Sequence, residues 1–387
     1  MRDIRELFPT DDPVRPELLI GRADDVRDLA VRLRDGTHMV MAGPRRTGKS
    51  TVGLAALERV RSPEVYTAQA DLWDHESLAS LSHALAQSII ANRGPVAKAL
   101  RRARESGREL RELLPVGVTA ALRTHLGEDV ELAWSTRSPG QAPAVSLGAT
   151  IRLAQRIAEQ DKKRIVLFLD EFQDIAAPSH RFGDPDMLTK QLRSELQRSP
   201  LVSVLFAGSM EHLMRDLFGP KRRALSQFGN FHELTPISPS EWHAGIAARY
   251  SELDVQAADG TIAEIVALGE GHPRATMLTA RETLTVTLAR REGRGIELGD
   301  VRGGQELAMQ ADRLRHEEIV ERLRSTAHAY PIALRVARGQ RPYSGTPSSG
   351  ARRALSMMER AGIAEHHGRG DWAIPEPLLR SYLAARL

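Results

Sequence analysis

The stretch Gly43-Pro44-Arg45-Arg46-Thr47-Gly48-Lys49-Ser50 constrains this chain more than any other. It satisfies G-x-x-x-x-G-K-[ST] in full. The spacing has a physical basis. A loop that wraps a phosphate must turn its backbone N–H groups inward, and Gly43 and Gly48 permit the dihedrals this needs. A helix starting near Gly48 then aims its free N–H groups and its positive dipole end at the anion. Lys49 is placed for the β and γ phosphates, and the Ser50 hydroxyl for Mg²⁺. Such a loop needs a strand before it and a helix after it. "THMVMA" and "STVGLAALERV" supply both.

The rest of the chain extends that unit. "EVYTAQADLW", "RIVLFLD", "LVSVLFAGS" and "FHELTPIS" read as four further strands with helical patterns between them. Strand alternating with helix predicts a five-stranded parallel α/β core of the P-loop NTPase type. The reading divides the chain into an N-terminal arm over 1–17, an ATPase-like core over 18–240, a helical lid over 241–311 and a separate unit over 312–387. A helical and loop insertion interrupts the core at about 93–150, where "STRSPGQAPAVSLG" is rich in Ser, Pro and Gly.

With 387 residues the chain can bury a sizeable core in each of two or three domains. It has no cysteine, which removes disulfides, thiol catalysis and Cys-ligated zinc, and fits a reducing cytoplasm. No signal-like core or membrane span is expected. The net charge of +4 is unevenly spread. Residues 312–387 hold 13 Arg and 8 acidic residues, and the remainder holds 41 basic and 42 acidic ones. Only six basic residues are Lys, so the Arg excess reflects a composition bias and is weak support for nucleic acid.

Two further motifs converge on the loop. In "IVLFLDEFQD", Asp170 ends a buried strand and can hold Mg²⁺, while Glu171 can polarise an attacking water. Both motifs end strands at the edge where open α/β sheets bind ligands. Asp174 reads as a cap. In "VLFAGSMEHLM", Ser209 follows another strand and fits a γ-phosphate sensor, a helix cap, or both.

Together these motifs resemble the AAA+ superfamily, and within it the archaeal-type ATPases that stand near the origin-recognition ATPases and the STAND signalling ATPases. "LLIGRADDVRDL" looks like the family's adenine box, implying Ile20, Gly21 and Arg22. "GPRRTGKST", from Gly43 to Thr51, is close to the loop this group favours. "FLDEFQD" resembles its Walker B strand, and "FAGSMEHLMRDLF" its sensor segment. "GEGHPRATML" resembles the lid element, implying Gly271 and Pro273 near nucleotide and Arg274 as a second sensor. One departure matters. Where the group carries an aromatic-Gly-Arg triplet, this chain has Phe228-Gly229-Asn230, leaving Arg222 or Arg223 as substitutes for a catalytic arginine.

The last 76 residues read as helix, helix, hairpin and helix, the order of a winged helix-turn-helix. "SSGARRALSMMERAG" has an apolar face of Ala351, Leu355, Met358 and Ala361, with Ser348 or Ser349 as N-cap and Gly362 as stop. In a DNA-binding reading Arg352 and Arg353 would meet a major groove, and Arg369 in the wing would touch phosphate or the minor groove. The resemblance therefore implies ATP, ADP and Mg²⁺ as ligands and slow hydrolysis driving a molecular switch. Double-stranded DNA, self-association or a protein partner are the expected macromolecular contacts, and no membrane. The alternatives are a DNA-binding regulator with little hydrolysis, and a protein-recruiting scaffold.

Overall fold

The computed structural model describes residues 3–10, 14–43, 47–92, 146–176, 181–209, 211–219, 224–290, 295–368 and 370–386. They form two compact units. One comprises residues 24–43 and 49–234, and the other residues 1–23, 44–48 and 235–387. Most of the expected insertion, and Arg222 and Arg223, lie outside the described residues.

The first unit is built on a five-stranded sheet. β1 (Met39–Ala42), β2 (Val65–Asp71), β3 (Arg164–Asp170), β4 (Val202–Gly208) and β5 (Asn230–Glu233) are all parallel, in the order β2-β3-β4-β1-β5. Every residue of β1 and β4 is buried, as continuous apolar runs covered on both faces require. The crossover helices are α2 (Ala23–Arg34), α3 (Lys49–Val60), α4 (Leu78–Ile90), α5 (Leu147–Asp161), α6 (Pro185–Gln197) and α7 (Glu211–Phe218). Local chemistry sets several of their starts. Ser77 and Ser146 accept N–H bonds in the first turns of α4 and α5, and Asp184 does the same for α6 with Pro185 behind it. Phe172, Phe206 and Phe218 pack ring against ring at 4.6–5.7 Å and close the core beneath the C-terminal edge of the sheet.

Strand order follows from tertiary pairing rather than from chain order. β4 inserts between the strand that enters the phosphate loop and the strand that ends in Asp170-Glu171. Its end therefore lies between theirs. The register pairs Ala42 with Gly208, and Asp71 with Asp170.

The second unit contains α1 (Ile4–Leu7), α8 (Pro239–Glu252), α9 (Thr261–Gly269), α10 (Pro273–Ala289) and α11 (Leu298–Ala311). α8 starts on a capping box between Ser238 and Glu241. The N-terminal residues carry Leu7 and Phe8, both fully buried, into this core against Tyr250. The buried guanidinium of Arg249 ties them down by donating to the carbonyls of Leu7 and Leu18. The helical reading of 241–311 misses two short strands, β6 (Gln256–Ala257) and β7 (Gly295–Ile296), which pair in parallel. Two residues are too few to show a period in sequence.

The same unit continues into α12 (Arg313–Arg324), α13 (Ala329–Ala337), α14 (Ser348–Arg360), an antiparallel hairpin of β8 (Glu365–Gly368) and β9 (Asp371–Ala373), and α15 (Pro377–Ala384). Ala351, Leu355, Met358 and Ala361 are buried as their spacing predicts. The expected serine cap is not formed. α14 begins at Ser348, which puts the serines inside the first turn and Pro347 at the cap. Leu378 of α15 packs with Ala275 and Leu278 of α10 and Ala308 of α11.

A buried ion-pair network reinforces that junction. Asp312, between α11 and α12, accepts from Arg274 of α10 and from Arg315 of α12, and Arg315 also donates to Glu376. Asp312, His316 and Glu376 bring potential metal-ligand atoms within 4.8 Å of one another. The two guanidinium groups already neutralise the carboxylates, so this is an ion-pair cluster. Burial pushes the Asp312 carboxyl up, but hydrogen bonds and charge from Arg274 and Arg315 more than reverse it and hold it at about 2. A carboxyl whose folded value lies below its unfolded one stabilises fully above about pH 4 and loses that contribution as pH falls towards 2. Asp312→Ala should cost roughly 2–3 kcal/mol at pH 7, because it removes the charged acceptor that the half-buried Arg274 and Arg315 share, while Arg315 keeps Glu376. In chemical denaturation at several pH values, the gap from wild type should narrow steadily below pH 4.

Candidate functional site

The C-terminal edge of the parallel sheet gathers Lys49, Ser50, Asp170, Glu171 and Ser209, all predicted from sequence, in the first unit. Lys49 opens α3 and is buried, and its Nζ donates to the Gly43 carbonyl at 3.0 Å. The ammonium is thus held across the loop, where an incoming phosphate oxygen could replace the carbonyl. Gly48 sits at φ +88, the left-handed region that favours glycine. The next side chain, Ser50, bonds the carboxyl of Asp170 at the end of β3. Thr51 is buried in the first turn of α3. Burial raises the Asp170 carboxyl, the Ser50 hydroxyl and the Glu171 backbone N–H pull it back, and the Glu171 charge raises it further. A hydroxyl and a carboxylate with no sulfur or nitrogen ligand are a donor set suited to Mg²⁺.

Glu171 adopts φ +49, unusual for a residue with a side chain. Strained backbone of this kind persists only where its surroundings hold it. Here the Glu171 carbonyl accepts from the Asp174 N–H at 3.0 Å, and its Oε2 accepts from the Ser209 hydroxyl at 2.9 Å and from the Gln173 amide. Ser209 is buried just past β4. Asp174 is ion-paired with Arg181, whose guanidinium also reaches the Leu72 carbonyl at 3.2 Å.

Asp71 is a member of this edge that the sequence reading missed. It ends β2 opposite Asp170, as the Asp-terminated apolar strand "VYTAQAD" could have signalled. Burial is the main force that pushes its carboxyl up to about 6, with the charges of Asp170, Asp74 and Glu171 adding to it. It also accepts from the Trp73 N–H at 2.8 Å.

The remaining predicted residues lie in the second unit. Arg22 is buried, donates to the Thr235 carbonyl at 2.8 Å and reaches the carbonyl of Thr47, in the phosphate loop, at 3.4 Å. Gly21 stands at φ +61, where an added Cβ would lie 2.5 Å from Ile237. Ile20 packs into the second core. Gly271 is also left-handed, and Pro273 opens α10. Arg274, expected as a sensor, spends its guanidinium on Asp312 and the Thr10 carbonyl. Arg352 and Arg353 are exposed on α14. Pro44, Arg45, Arg46 and Arg369 lie outside the described residues.

Whole-chain comparison with solved structures finds the same fold. The Walker-type ATPase PABY2304 of Pyrococcus abyssi superposes with a TM-score of 0.69 at 18% identity, covering 97% of this chain and 99% of that one. This chain has the fold of a P-loop NTPase. The Aeropyrum pernix ORC2 protein, solved as ADPNP-ADP complexes, gives 0.58 at 15% identity over 98% and 95% of the two chains. The Aeropyrum pernix ORC1 protein, solved in complex with DNA, gives 0.52 at 17% identity over 99% and 96%. No family model and no curated protein matches the sequence. The likeness thus lies in the fold, with a helical C-terminal region after the parallel sheet. Among the described residues no helix is long and apolar enough to cross a membrane.

Because Asp71 holds its proton more tightly folded than unfolded, its burial costs nothing at low pH and destabilises increasingly as pH rises from about 4 through about 6. Asp71→Asn keeps the acceptor for Trp73 and removes the charge. It should raise the melting temperature by roughly 2–4 °C at pH 8 and change it little at pH 4, read by calorimetry.

Proposed function

We propose that this protein binds and slowly hydrolyses ATP with Mg²⁺ and uses the cycle as a conformational switch. One observation carries the reading. Lys49 on the Gly43 carbonyl, Ser50 on Asp170, and Glu171 on Ser209 all meet at the C-terminal edge of one parallel sheet. In that reading Gly43 to Thr51 cradle the phosphates and Lys49 neutralises the β and γ oxygens. Ser50 and Asp170 would hold Mg²⁺, which supplies charge neutralisation of the phosphates when bound. Glu171 accepts a proton from water, and Ser209 keeps its carboxylate in place. Ile20, Gly21 and Arg22 are assigned to the adenine end, and Pro273 and Arg274 to the lid. Asn230, which begins β5, stands where the resembled group has arginine, and a catalytic arginine is worth about 10³–10⁵ in rate. Turnover is therefore expected to be slow. Wild type should bind Mg·ATP. Lys49→Ala should abolish binding, and Glu171→Gln should bind normally while turnover falls by about 10²–10⁴. Undetectable Mg·ATP binding by wild type would overturn the assignment.

A second reading concerns double-stranded DNA. The order of α13, α14 and the β8–β9 hairpin, with Arg352 and Arg353 exposed on α14, supports it. The expected result is duplex binding that weakens steeply with salt. Arg352→Ala/Arg353→Ala should lower the log–log salt slope by about 1–2. No binding at low salt would leave the domain as a protein-contact surface.

A further inference from the structure

We infer that Gln173 is a positioning residue that sets the orientation of Glu171, an inference that rests on the ATPase reading above. Gln173 follows the strand end by three residues and is 1% exposed. Both ends of its amide are committed. Its Oε1 accepts the Ser209 backbone N–H at 3.1 Å, and its Nε2 donates to Glu171 Oε2 and, at 3.3 Å, to Asp174 Oδ1. The Ser209 N–H is a donor only, so it fixes which end of the amide faces β4 and leaves the NH₂ facing Glu171.

The surroundings are shaped for this side chain. A Cβ on Gly208 would lie 2.6 Å from the Gln173 oxygen, so the glycine at the end of β4 leaves the space that the amide fills. The turn beneath is closed by Glu171 and Asp174, and Asp174 is anchored on Arg181. Gln173 therefore links the ends of β3 and β4 while Glu171 sits in its left-handed conformation. Both donors, from Gln173 and Ser209, fall on Oε2. That arrangement reserves Oε1 as the atom that takes the proton.

A residue that only filled space could be replaced by a near-isostere. Gln173→Glu keeps size and the acceptor for Ser209, but puts a second carboxylate against Glu171 in place of the donor. Gln173→Asn keeps the amide and falls one methylene short. Each variant is checked by thermal melting, by the Kd of a fluorescent ATP analogue with Mg²⁺, and by steady-state turnover from pH 6 to 8.5. The expected result is a Kd within about threefold of wild type and kcat lowered on the order of 10–100-fold in both. Wild-type kcat in both variants, or a loss carried by Kd instead, overturns the inference while the ATPase reading stands. A wild type that neither binds nor hydrolyses ATP overturns both.

Discussion

A buried ammonium needs an oxygen partner, and much of the C-terminal edge of the sheet is arranged around the one at Lys49. The Gly43 carbonyl accepts from it and helps to keep the cation inside the loop. The sheet supplies the rest. Parallel strands end at a common edge, so Gly43, Asp170 and Ser209 arrive there from three adjacent strands without any long side chain having to reach.

The carboxylates on that edge divide by environment. Asp71 and Asp170 are raised by burial, and Ser50 and backbone N–H groups partly offset this at Asp170. Glu171 instead takes neutral donors from the Gln173 amide and the Ser209 hydroxyl. Three acids close together in a partly dry place repel one another, and a divalent cation would relieve that repulsion. In the second unit a comparable conflict is already settled within the chain. There Asp312 is flanked by Arg274 and Arg315, beside the packing of α15 on α10 and α11.

Several features were legible in the residues because they rest on local rules. The loop glycines, the apolar strands and the apolar face of α14 all follow from spacing or backbone chemistry. Local rules failed where partners come from afar. Prolines marked the N-terminal residues as an arm, yet Leu7 and Phe8 are core residues because Tyr250 and Arg249 receive them. Ser348 lost its capping role because the helix starts one residue earlier than the polar pattern suggests. β6 and β7 exist only through their mutual pairing.

By itself the sequence determined that a G-x-x-x-x-G-K-S loop follows a buried strand, that acidic residues end another, and that strands and helices alternate into a parallel sheet. Those properties depend on residues adjacent in the chain. Tertiary structure decided the strand order, which brings Ser209 between the loop and Asp170. It also decided that Gln173 reaches across to β4, that Asp71 joins the acidic edge, and that Arg274 pairs with Asp312. Each of these joins residues at least 36 positions apart, and only the folded backbone brings such groups within reach of one another.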